Sequence, residues 1–198
     1  QLVQGQYYYQ EPNRIAIKGG LMTSKLSPSK NSVGKENSRN SLCIGAYASF
    51  PIKENFHIHA DLSYSLKGTK VSNPTAITDG VQRNITFKLN YLEAVGLACY
   101  QSGPLYAGGG LSLSYLLRAK GKGLDTPDTS GTSWQVSKSD FRKIDAGLAA
   151  EIGFKSDTYL IGLRGVYNLL SPSKTDRAKA LLPNAKNLNG QIFICAFF

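Results

Sequence analysis

The stretch FHIHADLSYSLKG, from Phe56 to Gly68, alternates without a break. Phe56, Ile58, Ala60, Leu62, Tyr64 and Leu66 fall on one parity, and His57, His59, Asp61, Ser63, Ser65 and Lys67 on the other. Successive side chains of a strand point to opposite faces, so this segment is a two-faced strand. Such a strand needs a different solvent on each side, and the rest of the chain decides which.

Seven more segments alternate in the same way: RIAIKGGLM, LCIGAYASF, ITFKLNYLEAVGLACY, LYAGGGLSLSYLL, KIDAGLAAEIGF, YLIGLRGVYNL and NGQIFICAFF. The fourth strand in chain order, ITFKLNYLEAVGLACY, is the least regular. With Glu93 on the polar face, Val95 and Leu97 break the pattern, and a bulge is expected there. No segment carries an apolar stripe of helical period, and no apolar run approaches the roughly 18 residues of a membrane-spanning helix.

The links between strands alternate in length. PIKEN, QSGP and KSDT are short; 23–40, 68–83, 118–139 and 170–187 are long and polar. A meander with tight turns at one end and long loops at the other is the outline of an outer-membrane barrel. The aromatics Phe50, Phe56, Tyr100, Tyr106, Phe154 and Tyr159 flank the short turns, where an interfacial girdle belongs. A soluble lipocalin-type barrel also has eight strands, but it would put the aliphatic residues inside and the charges outside. The expectation is an all-β, eight-stranded antiparallel up-and-down transmembrane barrel over 13–198. It would have short periplasmic turns, long extracellular loops, a periplasmic N-terminal extension over 1–12 and both termini periplasmic. The start at Gln1, without Met or a leader, reads as a processed chain.

In this reading Arg14, Lys18, His57, His59, Asp61, Glu93, Asp145, Glu151 and Arg164 face the lumen, where unpaired charges would be costly. They are expected to form a mixed-sign plug, with Gly108, Gly110, Gly147 and Gly153 making room for bulkier neighbours. An eight-stranded barrel is about wide enough to be filled by its own side chains. Counting back from the KSDT turn puts Arg164 opposite Ala149, with Glu151 diagonal to it on the same face, so those two charges should meet. Cys43, Cys99 and Cys195 form no CxxC motif, and no intrachain disulfide is expected, since strands four and eight lie across the barrel from each other.

Several motifs are resolved in the order IKGGLMTSKL, FPIKENFHIHADLSYSLKG, LNYLEAVGLACY, GPLYAGGGLSLSYLLRAKGKG and DFRKIDAGLAAEIGF. This order resembles the PorT-like family of outer-membrane β-barrel proteins over roughly 14–198. The departure is at Ala94–Val95–Gly96, where that family usually has an apolar residue followed by Pro. The terminal alternation Ile192, Ile194, Ala196, Phe198 is similar to the signal read by the outer-membrane assembly machinery. Some members are linked to type IX secretion, so the resemblance implies a Gram-negative outer-membrane location and a tie to envelope machinery.

The formal net charge is +10. The four long links hold 14 Lys/Arg against 5 Asp/Glu, and the remainder of the chain 9 against 8. The excess is therefore on the loops. No basic helix or interleaved aromatic platform accompanies it, so nucleic acid is excluded as a partner. A basic rim suits outer-membrane lipid, an anionic glycolipid, or an acidic protein surface.

His57 and His59 share a face at a spacing that could hold a metal, and Asp61 extends the row. No further Cys or His completes a site, and both histidines sit near a short turn, away from the rim where surface enzymes work. Gly108, Gly109 and Gly110 lie within a strand and precede no helix, unlike a phosphate loop. The expectation is a non-enzymatic protein with no catalytic, cofactor-binding or metal residues and no cofactor. It would be a structural or accessory subunit of a larger outer-membrane complex for secretion, assembly or uptake. The alternatives are a stand-alone surface protein that binds a ligand or adheres through basic loops, and, third, a lipid-modifying enzyme.

Overall fold

The computed structural model describes residues 12–27, 35–72, 84–122, 138–171, 174–175 and 186–198. The extension expected over 1–12 lies, but for Pro12, outside them, as do most of the long links. The elements are β1 (Arg14–Ser27), β2 (Lys35–Asn37), β3 (Arg39–Lys53), β4 (Phe56–Ser72), β5 (Asn84–Ser102), β6 (Leu105–Lys122), a 3-10 turn (Lys138–Asp140), β7 (Ile144–Lys155), β8 (Tyr159–Asn168) and β9 (Lys186–Phe197). β2 continues the line of β3 along the outer part of β4. Each of the other eight strands is antiparallel to its chain neighbour, and β1 pairs with β9, so the sheet closes. Closure leaves no edge, and every strand finds partners on both sides.

Strands β3 and β4, β5 and β6, and β7 and β8 are joined by two or three residues. One joint is Gly103–Pro104, where Gly103 adopts φ 57°, a left-handed value that glycine takes without strain. The chain end returns to this same rim: the Phe198 amide donates to the Ile15 carbonyl at 3.2 Å.

Inside and outside follow the expected parity. Leu111 is 67% exposed, Ile44 62% and Ile17 61%, whereas Lys18, Lys67 and Glu93 are at 0%. That inversion fits a hydrocarbon surround and excludes the lipocalin alternative, whose charges would face out. Phe56 packs edge-on to Tyr100 at 5.3 Å and Phe154 stacks on Tyr159 at 6.2 Å, a girdle at the short-turn rim. Tyr106, counted with that girdle from sequence, instead turns into the lumen.

Three further readings need correction. Val95 and Leu97 do not interrupt β5: both point inward, and the strand alternates straight through them. They are tolerated because the lumen also holds an apolar cluster with Leu160, Val166, Phe193 and Tyr106. The bulge lies elsewhere, at Leu117 on β6, where Asn90 and Tyr91 pair with Arg118 and Leu116. Finally, the strands run further than the alternation indicated. β5 has nineteen residues and β6 eighteen, so 68–72 and 118–122 are strand rather than loop. Nineteen residues rise roughly 45 Å along the normal at a 45° tilt, well beyond an apolar band about 25 Å tall.

The lumen is plugged by charge. Arg164 donates through Nε to Glu151 Oε2 at 2.6 Å and through Nη1 to Asp61 Oδ2 at 2.7 Å. Lys18 also binds Asp61 and reaches Gln191 Oε1 at 3.1 Å. Above this chain, Lys67 pairs with Glu93, and Ser114 bonds to both. Glu151 and Arg164 meet as expected, but the two residues are directly opposite, not diagonal. Lys155 pairs with Leu160 across the turn, which shifts the register by two from the sequence count. Arg14 does not join the network; it reaches along the rim to Asp157 Oδ1 at 2.8 Å. The inward glycines do make room: a Cβ on Gly153 would lie 2.7 Å from the Tyr106 hydroxyl.

Two outcomes follow. Arg164→Met leaves Asp61 short of one cation and Glu151 without any, which should cost about 3–5 kcal/mol of stability in denaturant unfolding from detergent or bilayers. Arg164→Met combined with Glu151→Gln should recover part of the loss, and an unchanged unfolding midpoint in the single variant would contradict the plug. Reconstituted in a planar bilayer, the wild-type barrel should show no steady conductance, whereas reproducible steps of porin size would mean an open lumen.

Candidate functional site

The lumen is the first place to look for chemistry, because the histidines are there. β4 carries His57 and His59 inward, and both are buried. His59 Nδ1 lies 2.5 Å from the Tyr47 hydroxyl and 3.2 Å from Cys99 Sγ. The Tyr47 and Tyr106 hydroxyls both donate to Glu151 Oε1 at 2.9 Å. With the single Tyr47 proton directed at Glu151, the short His59 contact requires Nδ1–H to donate to the Tyr47 oxygen. His59 is thus held in place by its neighbours.

Glu151 accepts from Tyr47, Tyr106 and Arg164, a set that uses its lone pairs and fixes it as an acceptor. Sequence parity had placed Tyr47 on the polar face. It could not show that Tyr47, His59, Cys99, Tyr106 and Glu151 from five different strands converge, because that depends on register. The Asp61 expected to extend the histidine row is committed to Lys18 and Arg164 instead. Among the described residues, no three His, Cys, Asp or Glu side chains gather as metal ligands. The thiols of Cys43, Cys99 and Cys195 are free and buried. Among the described residues the arrangement is a fixed, buried packing network.

The second place is the rim opposite the short turns. Lys25, Lys88, Arg118, Lys120, Arg142, Lys143, Lys174 and Lys186 lie there, exposed or half-buried. Among the exposed or half-buried described side chains at that end only Asp140 is acidic, and it accepts from the Thr175 hydroxyl at 3.0 Å; Asp145 nearby is buried in the lumen. The short-turn rim is balanced by comparison: Arg14, Lys53 and Lys155 stand beside Glu54 and Asp157. Lys186 lies 5.4 Å over the Tyr167 ring on the outward face, where a cation can sit above the apolar band. Arg39 differs from these: it turns inward and donates to the Lys67 carbonyl at 3.3 Å.

Comparison with known proteins gives a family and a fold. The family described as outer membrane protein beta-barrel domain matches residues 6–171. No curated protein sequence matches the chain. Ail, the attachment invasion locus protein of Yersinia pestis, in complex with the heparin analogue sucrose octasulfate, superposes with a TM-score of 0.55 at 14% identity, covering 95% of this chain and 100% of Ail. Neisserial surface protein A superposes with a TM-score of 0.53 at 14% identity, with the same coverage of 95% and 100%. At such identities the likeness is one of fold. The match to the family runs through most of the strands described above. The chain therefore belongs to the outer membrane protein beta-barrel domain family, as a closed eight-stranded barrel of the outer membrane.

Proposed function

We propose that this barrel works by contact and not by catalysis, through its long-loop rim, on a phosphate- or sulfate-bearing glycolipid or glycan at the cell surface. In this reading the short turns and both termini are periplasmic and the basic rim faces out. The observation that carries the proposal is the charge asymmetry between the two rims. Eight exposed or half-buried cations at one end stand beside one described carboxylate outside the lumen, Asp140, so that end attracts polyanions over a range set by the Debye length. The same fold holds a polysulfated sugar in the Ail complex. A catalytic role is disfavoured by the lumen, where the titratable groups are tied to each other and shut off from solvent.

The second reading is an accessory subunit of an envelope complex. It is supported by the PorT-like order of motifs, and its docking surface would be the lipid-facing wall or the loops.

The test separates contact from chemistry. His57→Gln with His59→Gln should leave binding of the folded barrel to vesicles bearing anionic glycolipid unchanged. Lys143→Glu with Lys174→Glu should weaken it, with the largest effect at low salt, where screening is least. Loss of the cellular role with the histidine pair, in a well-folded barrel insensitive to the rim pair, would overturn the contact reading and return attention to the lumen.

A further inference from the structure

Lys88 on β5 stands directly opposite Lys120 on β6, and Arg118 lies one row below, opposite Asn90. Directly opposed side chains on one face have Cβ atoms about 5 Å apart, and like charges there destabilise the pair. The bulge at Leu117 creates this arrangement. Alternation continued from Tyr115 would aim Arg118 and Lys120 into the lumen. The extra residue reverses their parity and turns both outward, beside Lys88. A chain that needed only to pack would leave out the bulge or place an acid opposite Lys88.

None of the three cations forms an ion pair among the described residues. Arg142 and Lys143, both exposed, approach from the residues just before β7, where the Lys143 carbonyl accepts the Leu116 amide at 2.7 Å. The height of the group is equally specific. Below it on the same outward face lies a row of Tyr64, Leu92 and Tyr115, with Leu66 and Leu117 beside Arg118 above them. Between them, the Asn90 side-chain amide donates to the Tyr64 hydroxyl at 2.5 Å. Lys88 and Lys120 are two rows higher, roughly 9 Å along the normal after tilt, which is the level of lipid headgroups.

We propose that Lys88, Arg118 and Lys120 clamp the phosphate of an anionic glycolipid of the outer leaflet, held against the barrel wall with its acyl chains on the leucines below. This rests on the outward orientation of the basic rim and narrows it to one site on the strands instead of the loop tips. A phosphate oxygen between Lys88 and Lys120 converts a repulsive cross-strand pair into two charge-assisted hydrogen bonds, and Arg118 offers a further fork of donors.

The test uses the full chain in detergent, titrated with bisphosphorylated lipid A and with its dephosphorylated counterpart, bound lipid being counted by native mass spectrometry. In 0.15 M salt, charges more than about 8 Å away are largely screened. The wild type should prefer the phosphorylated lipid by about tenfold or more, as expected when charge-assisted bonds are lost. K88Q/R118Q/K120Q should lose that preference, and R14Q/K53Q, with charge removed from the opposite short-turn rim, should keep it. Lys88→Glu gives a second readout: it pairs with Lys120, so it should raise resistance to unfolding while abolishing the preference. Retention of the preference in the triple variant, equal loss in the control, or a destabilised Lys88→Glu barrel each overturns the clamp. Orientation is read separately. Lys120→Cys should react with an impermeant thiol reagent on intact cells, and if it does not, the outward rim falls and the clamp with it. If it does react while the lipid preference is absent, the clamp alone falls.

Discussion

Hydrocarbon offers a backbone amide nothing to bond to, and the rest of this structure depends on that. Each unsatisfied N–H or C=O in the bilayer costs several kcal/mol, so a sheet can cross only as a closed ring. Pairing of β1 with β9, from Ala16 with Phe197 up to Ser27 with Lys186, completes the ring. Closure then fixes the solvent of each parity. Ile17, Leu111 and Leu163 must meet lipid, and Lys18, Ser112 and Arg164 must find partners inside.

The interior meets that demand in layers. An apolar cluster that includes Val95, Leu97, Leu160 and Phe193 fills part of it. At mid-height Lys18, Asp61, Arg164 and Glu151 form a continuous chain of opposite charges, and Lys67 with Glu93 repeats the device above it. Buried pairs of this kind add little net stability over apolar packing, yet removing one partner is expensive. They therefore lock the register: a slip by one residue would move every one of these charges into lipid. The same network engages Asp61 and Glu151, with His59 packed beside it.

Much of the barrel could be read from the chain because lipid enforces a strict period of two. The eight strands and the faces of His57, Asp61, Glu93 and Arg164 came from parity, and the meeting of Glu151 with Arg164 from parity together with the count across the KSDT turn. Parity carries no information about register, so the direct opposition of Glu151 and Arg164 and the convergence of Tyr47, His59, Cys99, Tyr106 and Glu151 were not legible. The outer ends of β4, β5 and β6 were missed for a related reason. Above the bilayer both faces are wet and the alternation fades, so 118–122 looked like loop. The bulge at Leu117 was hidden in the run Leu116–Leu117, where either residue could face out, and with it the outward turn of Arg118 and Lys120. The irregularity at Val95 and Leu97 was misread as a bulge because the lumen was taken to be polar throughout.

The central claim is that this chain is an inverted barrel with lipid outside and a sealed polar lumen. It is tested most directly by a spin-label scan along β6 in bilayers, after Cys43, Cys99 and Cys195 are replaced by Ala. Labels at Leu111, Leu113 and Tyr115 should relax with lipid-soluble oxygen and ignore a water-soluble nickel chelate. Labels at Ser112 and Ser114 should be immobile and reached by neither, and those at Arg118 and Lys120 should respond to the chelate. Chelate access at Leu111 and Leu113, or an even response with no period of two, would contradict the account.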